Sequence, residues 1–321
     1  MKAMVLTAGM GTRLMPLTLE KAKPAIPLLG KPLILTIMEK FSALGINDFR
    51  LNLHTLPDTI TRIFDSLPKC SWNVSFSYEP EILGTAGGLK ANESFFSDET
   101  LIVVNGDIFF EFDIRPVIDF HVRHKALATL ALCEQQPPYI YTPIRIDSNH
   151  LIQSFPRSEE SKKEKGPAYV FSGVTVLSKE IFGFIEPAGF SEIVSDVYEP
   201  AIVAGFDICG YPVHGYWNDL GTPARYLSTQ RELFIRNAIS PPRAISDDAF
   251  VAEVDYIGPY VSIGQGCVIE DGCVIQDAIL WENCHIRRGS TVRNCILGQG
   301  MVIQGHYEDR AITLNGECSL V

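Results

Sequence analysis

From Ile257 to Ile303 an apolar residue returns at every sixth position: Ile257, Ile263, Ile269 and Ile275, then Leu280, Ile286 and Val292, then Leu297 and Ile303. The step shortens to five in two places, and Gly, Asn and Asp fill the turns. Such a period is the hexapeptide repeat of a parallel β-helix. Each coil buries its apolar residue against the next, so a few coils stack into a small prism. Cys267, Cys273, Cys284 and Cys295 fall on this lattice and read as small inward or corner residues, not as ligands. The character of the chain changes near Ser240-Pro241-Pro242. The expected division is a catalytic domain over 1–237, a linker over 238–250 and a repeat domain over 251–321.

Before that division, strands and helices alternate. Lys2 to Thr7, Asp48 to Leu53, Val74 to Tyr78 and Leu101 to Asn105 read as strands, and Leu33 to Leu44, Leu56 to Ser66 and Ala86 to Phe96 as helices. Short apolar strands with intervening helices predict an α/β fold with a doubly wound, Rossmann-like, mostly parallel sheet. A nucleotide site is expected at the carboxyl ends of its strands. Segment 157–166, with Lys162, Lys163 and Lys165, reads as a solvated, mobile loop.

The first such strand runs into Gly9-Met10-Gly11-Thr12-Arg13, and Lys23-Pro24 follows at a short distance. Glycines let backbone approach a ligand closely, and free N–H groups in such a loop attract anions. Arg13 and Lys23 add full positive charge. The loop is neither a P-loop, since Thr12-Arg13 follows Gly11 where Lys-Ser or Lys-Thr is required, nor a dinucleotide fingerprint, since Leu14 takes the third glycine's place. It reads as a cradle for a nucleoside triphosphate. Lys2, Arg13, Lys21, Lys23 and Lys31 face only Glu20 in this stretch, although the net charge of the 321-residue chain is −11. That balance argues against a general nucleic-acid binder.

No apolar run approaches the ~18–20 residues of a membrane span. Gly9, Gly11 and Arg13 break the first apolar run too early for a signal peptide. A cytoplasmic protein without membrane partners is therefore expected. The eight cysteines form no C-x-x-C pair, so free thiols are expected rather than a zinc or redox site.

The run Gly9-Met10-Gly11-Thr12-Arg13-Leu14-Met15-Pro16-Leu17-Thr18, with Lys23-Pro24-Ala25-Ile26-Pro27 and Lys31-Pro32, resembles the motif of the sugar-1-phosphate nucleotidyltransferases, or nucleotide-diphospho-sugar pyrophosphorylases. The resemblance implies that Leu6, Ala8, Gly9, Gly11, Thr12, Arg13 and Lys23 contact the nucleotide, with Arg13 and Lys23 catalytic. It also implies a left-handed hand for the β-helix, as in several relatives.

Asp107 ends a buried strand in Asn105-Gly106-Asp107, and Asp219 stands in Trp217-Asn218-Asp219-Leu220-Gly221-Thr222. A carboxylate at the carboxyl end of a parallel strand points into the expected crevice, and such oxygens suit Mg²⁺. The family carries its metal ligands in these two contexts, so the resemblance assigns Mg²⁺ to Asp107 and Asp219, with Asp107 catalytic. Leu83-Gly84-Thr85-Ala86-Gly87 resembles the base-reading segment, which implies nucleotide contacts from Gly84 and Thr85. Glu79 matches a base-contacting position, where two acceptor oxygens would suit guanine. Phe171-Ser172-Gly173 resembles the sugar-side strand, which implies sugar contacts from Ser172 and Gly173.

One departure matters. Many relatives carry Glu-Lys-Pro upstream of that strand, where this chain has Ser154-Phe155-Pro156-Arg157. Arg157, Lys162, Lys163 and Lys165 are the candidates to replace it, and no spacing selects among them. This strand and the Trp217–Thr222 run look most like N-acetylmuramate-1-phosphate uridylyltransferases, whereas the repeat extension looks more like mannose-1-phosphate guanylyltransferases. The expected reaction joins an NTP, GTP or UTP, to a sugar 1-phosphate, with guanylyl transfer to mannose 1-phosphate favoured. The alternatives are uridylyl transfer to a glucose or amino-sugar 1-phosphate, and a non-catalytic nucleotide-sugar-binding subunit. Packing of β-helix extensions against each other makes a homo-oligomer plausible.

Overall fold

A computed structural model describes every residue except 69–71, 97–99, 135–140, 154, 156–166, 188 and 254–255. The expected mobile loop at 157–166, the four candidate cations within it and Cys70 therefore lie outside the described residues. The chain forms two compact units. The first comprises Met1–Gly9, Ile37–Thr55 and Pro68–Trp217, and the second Met10–Thr36, Leu56–Leu67 and Asn218–Val321.

The first unit is built on a seven-stranded sheet. Its strands are β1 (Lys2–Leu6), β2 (Asp48–Leu53), β3 (Asn73–Tyr78), β4 (Leu101–Asn105), β5 (Ala128–Glu134), β6 (Tyr169–Leu177) and β7 (Ile208–Pro212), in the order β7-β5-β6-β4-β1-β2-β3. Strand β1 pairs in parallel with β2 and β4, and its Ala3, Met4 and Val5 are fully buried. A strand covered on both faces has no solvent side, which is why it reads as an unbroken apolar run. Strand β6 runs antiparallel to both neighbours, β4 and β5, so the sheet is mixed. Helices α1 (Leu33–Ser42), α2 (Pro57–Asp65), α3 (Gly84–Ala91) and α4 (Arg115–His124) follow their strands in the chain. Helix α3 starts two residues before the expected position and stops earlier than Phe96, where the Asn92 side chain donates to the Gly88 carbonyl at 2.8 Å.

The C-terminal part of the second unit is a stack of short parallel strands. Val251, Ile269, Ile286 and Ile303 stand in register. So do Ile257, Ile275 and Val292, and likewise Ile263, Leu280, Leu297 and Ile312. All nine positions of the six-residue series are at most 5% exposed. The two five-residue steps fall inside continuous strands, Val274–Leu280 and Thr291–Leu297. There Asp277 (φ 51°) and Asn294 (φ 47°) take left-handed backbone and bend the strand within one residue. Asp and Asn tolerate that conformation better than other side chains with a Cβ. Cys267, Cys273, Cys284 and Cys295 are fully buried, and the seven described cysteines are free thiols. The first strand of the stack, Arg243–Ile245, lies within the 238–250 segment and pairs with Val261–Ile263. Among the described residues no helix is long and apolar enough to cross a membrane.

Candidate active site

In the first unit Leu6, Ala8, Gly9, Glu79 and Asp107 stand at or just past the ends of strands, and Ser172 and Gly173 lie within β6. Beyond Leu6 the chain is held by Asn52: Thr7 donates its N–H to Asn52 Oδ1 at 2.8 Å and its hydroxyl to the Asn52 carbonyl. The Gly106 N–H donates to the Leu6 carbonyl at 2.9 Å. That bond ties the Asn105-Gly106-Asp107 turn to the point where β1 runs out, beside Ala8 and Gly9. Asp107 itself is half-buried.

Asn52 also donates to Glu79 Oε1 at 2.8 Å, and the Leu83 N–H donates to Glu79 Oε2 at 3.1 Å. Glu79 is 4% exposed. Its carboxylate thus lies inside the wall and braces the segment that leads into Gly84, where the sequence had suggested a direct base contact. Asn52, which sequence reasoning passed over, links the two loops. His54 Nδ1 donates to the Glu79 carbonyl at 2.8 Å, a structural role.

The segment expected to read the base is clamped from residues 191–193. Gly84 has φ +74°, and a Cβ there would stand 2.5 Å from the Ser191 carbonyl oxygen. That oxygen accepts from the Ala86 and Gly87 N–H groups at 2.9 and 3.2 Å. Thr85 donates its hydroxyl to Glu192 at 3.0 Å and accepts from the Ile193 N–H at 2.8 Å. The start of α3 is therefore capped from within the unit. Ser191 and Glu192 carry no motif in the sequence and were not foreseen.

On the expected sugar side Ser172 is fully buried, and its hydroxyl accepts from the Val174 N–H at 3.2 Å. Its carbonyl accepts from Trp217 Nε1 at 2.6 Å. The side chain braces the strand instead of reaching outward. Gly173 (φ +87°) lets the backbone pass close to Asn105, since a Cβ there would lie 3.0 Å from the amide nitrogen.

The remaining candidates belong to the second unit. Gly11 has φ +62°, and a Cβ on it would stand 2.8 Å from Thr18 Cγ2. Thr18 in turn donates to the Gly11 carbonyl at 2.9 Å, so glycine is required for both conformation and clearance. Tight turns at Thr12–Leu14 and Lys23–Ala25 follow; Arg13 is exposed and Lys23 is 6% exposed.

Asp219 precedes helix α5 (Pro223–Arg236), which Thr222 caps by accepting from the Arg225 N–H at 3.2 Å. Capping satisfies one of the free donors at a helix start and sets the direction of the first turn. It brings the buried Arg225 guanidinium onto the Asp219 carboxylate as an ion pair. A Cβ on Gly221 would lie 3.2 Å from Asp219 Oδ2 and 3.5 Å from a guanidinium nitrogen of both Arg13 and Arg225. One carboxylate and two guanidiniums thus converge around Gly221. Arg225 was missed in the sequence; its signal is the capping Thr-Pro-Ala-Arg that follows Asp219.

The basic cluster of the sequence is smaller in space. Lys21 is ion-paired with Glu282 at 3.0 Å, and Lys2 donates to the Phe95 carbonyl at 2.7 Å. Both side chains serve structure; the other cations of the cluster are Arg13, Lys23 and Lys31.

The family model described as Nucleotidyl transferase matches residues 2–234, and that described as GMPPB C-terminal domain matches residues 239–318. A mannose-1-phosphate guanyltransferase from Schizosaccharomyces pombe is 32% identical over 233 residues, which are 71% of this chain and 63% of that enzyme. The chain therefore spans less than two thirds of that relative. A Sulfolobus acidocaldarius protein provisionally given the same name is 30% identical over 302 residues, 92% of this chain and 75% of that protein. Among solved structures, HddC from Yersinia pseudotuberculosis superimposes with a TM-score of 0.62 at 24% identity, covering 72% of this chain and 99% of that chain. A second structure of HddC is a complex with GMP-PN. At that identity the likeness is one of fold.

Proposed function

The chain belongs to the nucleotidyl transferase family, and on that premise we propose that it condenses GTP with mannose 1-phosphate, releasing pyrophosphate. The observation that carries this reading is the convergence of Arg13, Arg225 and Asp219 around Gly221. It sets a motif arginine beside the carboxylate that the family pattern assigns to metal. The names of the relatives support GTP over UTP and mannose over other sugars.

In the proposed reaction a sugar-phosphate oxygen attacks the α-phosphorus in line. The bond from that phosphorus to the β-phosphate bridging oxygen breaks, and pyrophosphate leaves. No strong base is needed, because a phosphate monoester has a second pKa of about 6 and is mostly dianionic at neutral pH. Catalysis is then positioning and charge neutralisation. Arg13 holds the leaving pyrophosphate, and Lys23 holds the α-phosphate or the sugar phosphate. Gly9, Gly11 and Thr12 present backbone to the phosphates, and Leu6, Ala8, Gly84 and Thr85 line the nucleoside. Glu79 fixes that lining from behind, and the backbone edge at Gly173 faces the sugar.

Asp107 and Asp219 are the proposed Mg²⁺ ligands. Among the described residues no group of three His, Cys, Asp or Glu side chains could hold a metal unaided. The chemistry of such ligands suits Mg²⁺, which takes one or two carboxylates together with substrate phosphates and water. When bound, the ion would neutralise charge developing on the phosphates. Arg225, ion-paired with Asp219, orients that carboxylate for the role.

We also read the C-terminal stack as a left-handed parallel β-helix through which copies of the chain associate. The six-residue recurrence and the register partners seventeen residues apart, such as Ile269 and Ile286, support three short sides per coil.

A pyrophosphate-release panel of four NTPs against several sugar 1-phosphates tests the reading. GTP with mannose 1-phosphate is expected to give the highest rate. Release with UTP alone would move the assignment to uridylyl transfer, and no release with any pair would favour a binding subunit.

A further inference from the structure

We infer that Glu20 is a positioning residue, through which the final coils of the C-terminal stack set the geometry of the loop that carries Arg13 and Lys23. The inference rests on the function proposed above for that loop.

Glu20 stands between the two cations in the chain, just past the turn Leu17–Leu19. Its Oε2 accepts from the Gln299 N–H at 3.0 Å, and its Oε1 accepts from the Leu314 N–H at 2.9 Å. Gln299 and Leu314 belong to successive coils, because Leu297 and Ile312 are in register. One carboxylate therefore bridges two coils through backbone donors. Such charge-assisted bonds are stronger than neutral ones and fix direction at both oxygens. The approach is close enough that a Cβ on Gly298 would stand 2.4 Å from Glu20 Oε2.

The next residue makes the same connection one coil earlier. Lys21 donates to Glu282 Oε1 at 3.1 Å and lies 5.7 Å from the centre of the Trp281 ring. Since Leu280 is in register with Leu297, positions 281–282, 298–299 and 313–314 occupy the same corner of three successive coils. Farther along the loop the Tyr226 hydroxyl donates to the Pro27 carbonyl and accepts from Trp281 Nε1 at 3.3 Å. The loop is thus fastened to that corner at Glu20 and Lys21, and through Tyr226 at Pro27, on both sides of Lys23. The stack thus has a task beyond its own folding: it fixes the polar side of a loop whose apolar residues, Leu14, Leu17 and Ile26 among them, are buried.

Electrostatics and positioning make opposite predictions for Glu20→Gln. Removing a negative charge near a triphosphate site would lower KM for the NTP if charge alone mattered. In the glutamine variant an amide NH₂ must instead face one of the two backbone N–H donors, so the bridge is lost and the loop shifts. Displacements on the order of 1 Å in positioning groups cost up to about a hundredfold. The expected result is a rise of about tenfold or more in KM for the NTP, with little change in the thermal midpoint. Gly298→Ala, which pushes on the same carboxylate from the stack, is expected to give the same pattern.

Amide hydrogen exchange across residues 10–22 supplies a readout that does not depend on turnover: both variants are expected to exchange faster there than the wild-type protein. Unchanged exchange in both variants, or an unchanged or lower KM for the NTP, overturns the inference. A wild-type protein that releases no pyrophosphate refutes the function proposed above, and the exchange measurement still decides the anchoring.

Discussion

In the first unit several candidate functional residues stand just past the ends of strands or at the start of α3, held by bonds that occur once: Asn52 to Thr7, Gly106 to Leu6, Ser191 to the start of α3. In the C-terminal stack one arrangement recurs: buried aliphatic residues stand in register from strand to strand, and Asp277 and Asn294 take the bent positions. A bond that occurs once can be lost without unfolding the molecule, but whatever it positions moves. A repeated contact can be lost only at the cost of packing, and no single copy is tied to the chemistry. The difference separates two kinds of sensitivity, one in turnover and one in stability, and Glu20 marks where the second region reaches into the first kind.

The largest expected effect would break this separation if it failed. Asp107→Asn keeps size and shape but removes a metal-binding charge, so turnover should fall by about a thousandfold while the melting temperature moves little. Steady-state kinetics and thermal unfolding on the same sample check it. The converse is Ile286→Ala in the stack, which should cost about 2–5 kcal/mol of stability through the lost burial and the cavity left behind. Denaturant unfolding should show that loss with KM for both substrates unchanged; a selective loss of turnover would mean that the stack is catalytic throughout and not only at its anchored corner.

A pH series sharpens the contrast. His121 in α4 is buried between Thr129 Oγ1 and Ser178 Oγ, and burial pulls its pKa down from 6.5 to about 4. The folded protein therefore resists a proton that the unfolded chain accepts. Stability from this group is complete above pH 6.5 and declines as the pH falls toward 4, on the order of 2 kcal/mol over that window. His121→Gln, which can bond to both hydroxyls without titrating, should flatten the decline in a melting-temperature profile. The smallest effect belongs to the bent corners. Asn294→Ala should cost about 1 kcal/mol, because alanine tolerates left-handed backbone less well and loses the bond to Asp309, whereas Asn294→Gly should keep the backbone at ease.

The stack was legible because its period is set by the coil itself: Ile257 to Ile303 could be placed from spacing alone, including the two short steps. The strand β1 was legible for a related reason, being buried on both faces. Gly11 was legible because its left-handed backbone and the close Thr18 side chain leave glycine alone able to stand there. Ser191 and Glu192 were not, since one contributes a carbonyl that any residue possesses and the other contacts Thr85 across more than a hundred positions of chain. Glu79 and Ser172 misled for the opposite reason: their types suit ligand contact, but burial turned both to bracing. Lys21 looked like part of a phosphate-binding cluster because spacing along the chain cannot show that Glu282 faces it.

The central claim is that one chain joins a nucleotide to a sugar phosphate with loss of pyrophosphate. Phosphorus NMR of the protein with GTP, mannose 1-phosphate and Mg²⁺ tests it most directly. The mannose 1-phosphate signal is expected to disappear as two coupled diphosphate signals of a nucleotide-sugar grow together with one pyrophosphate signal of twice the area of each. GDP and inorganic phosphate appearing while mannose 1-phosphate stays intact would contradict it.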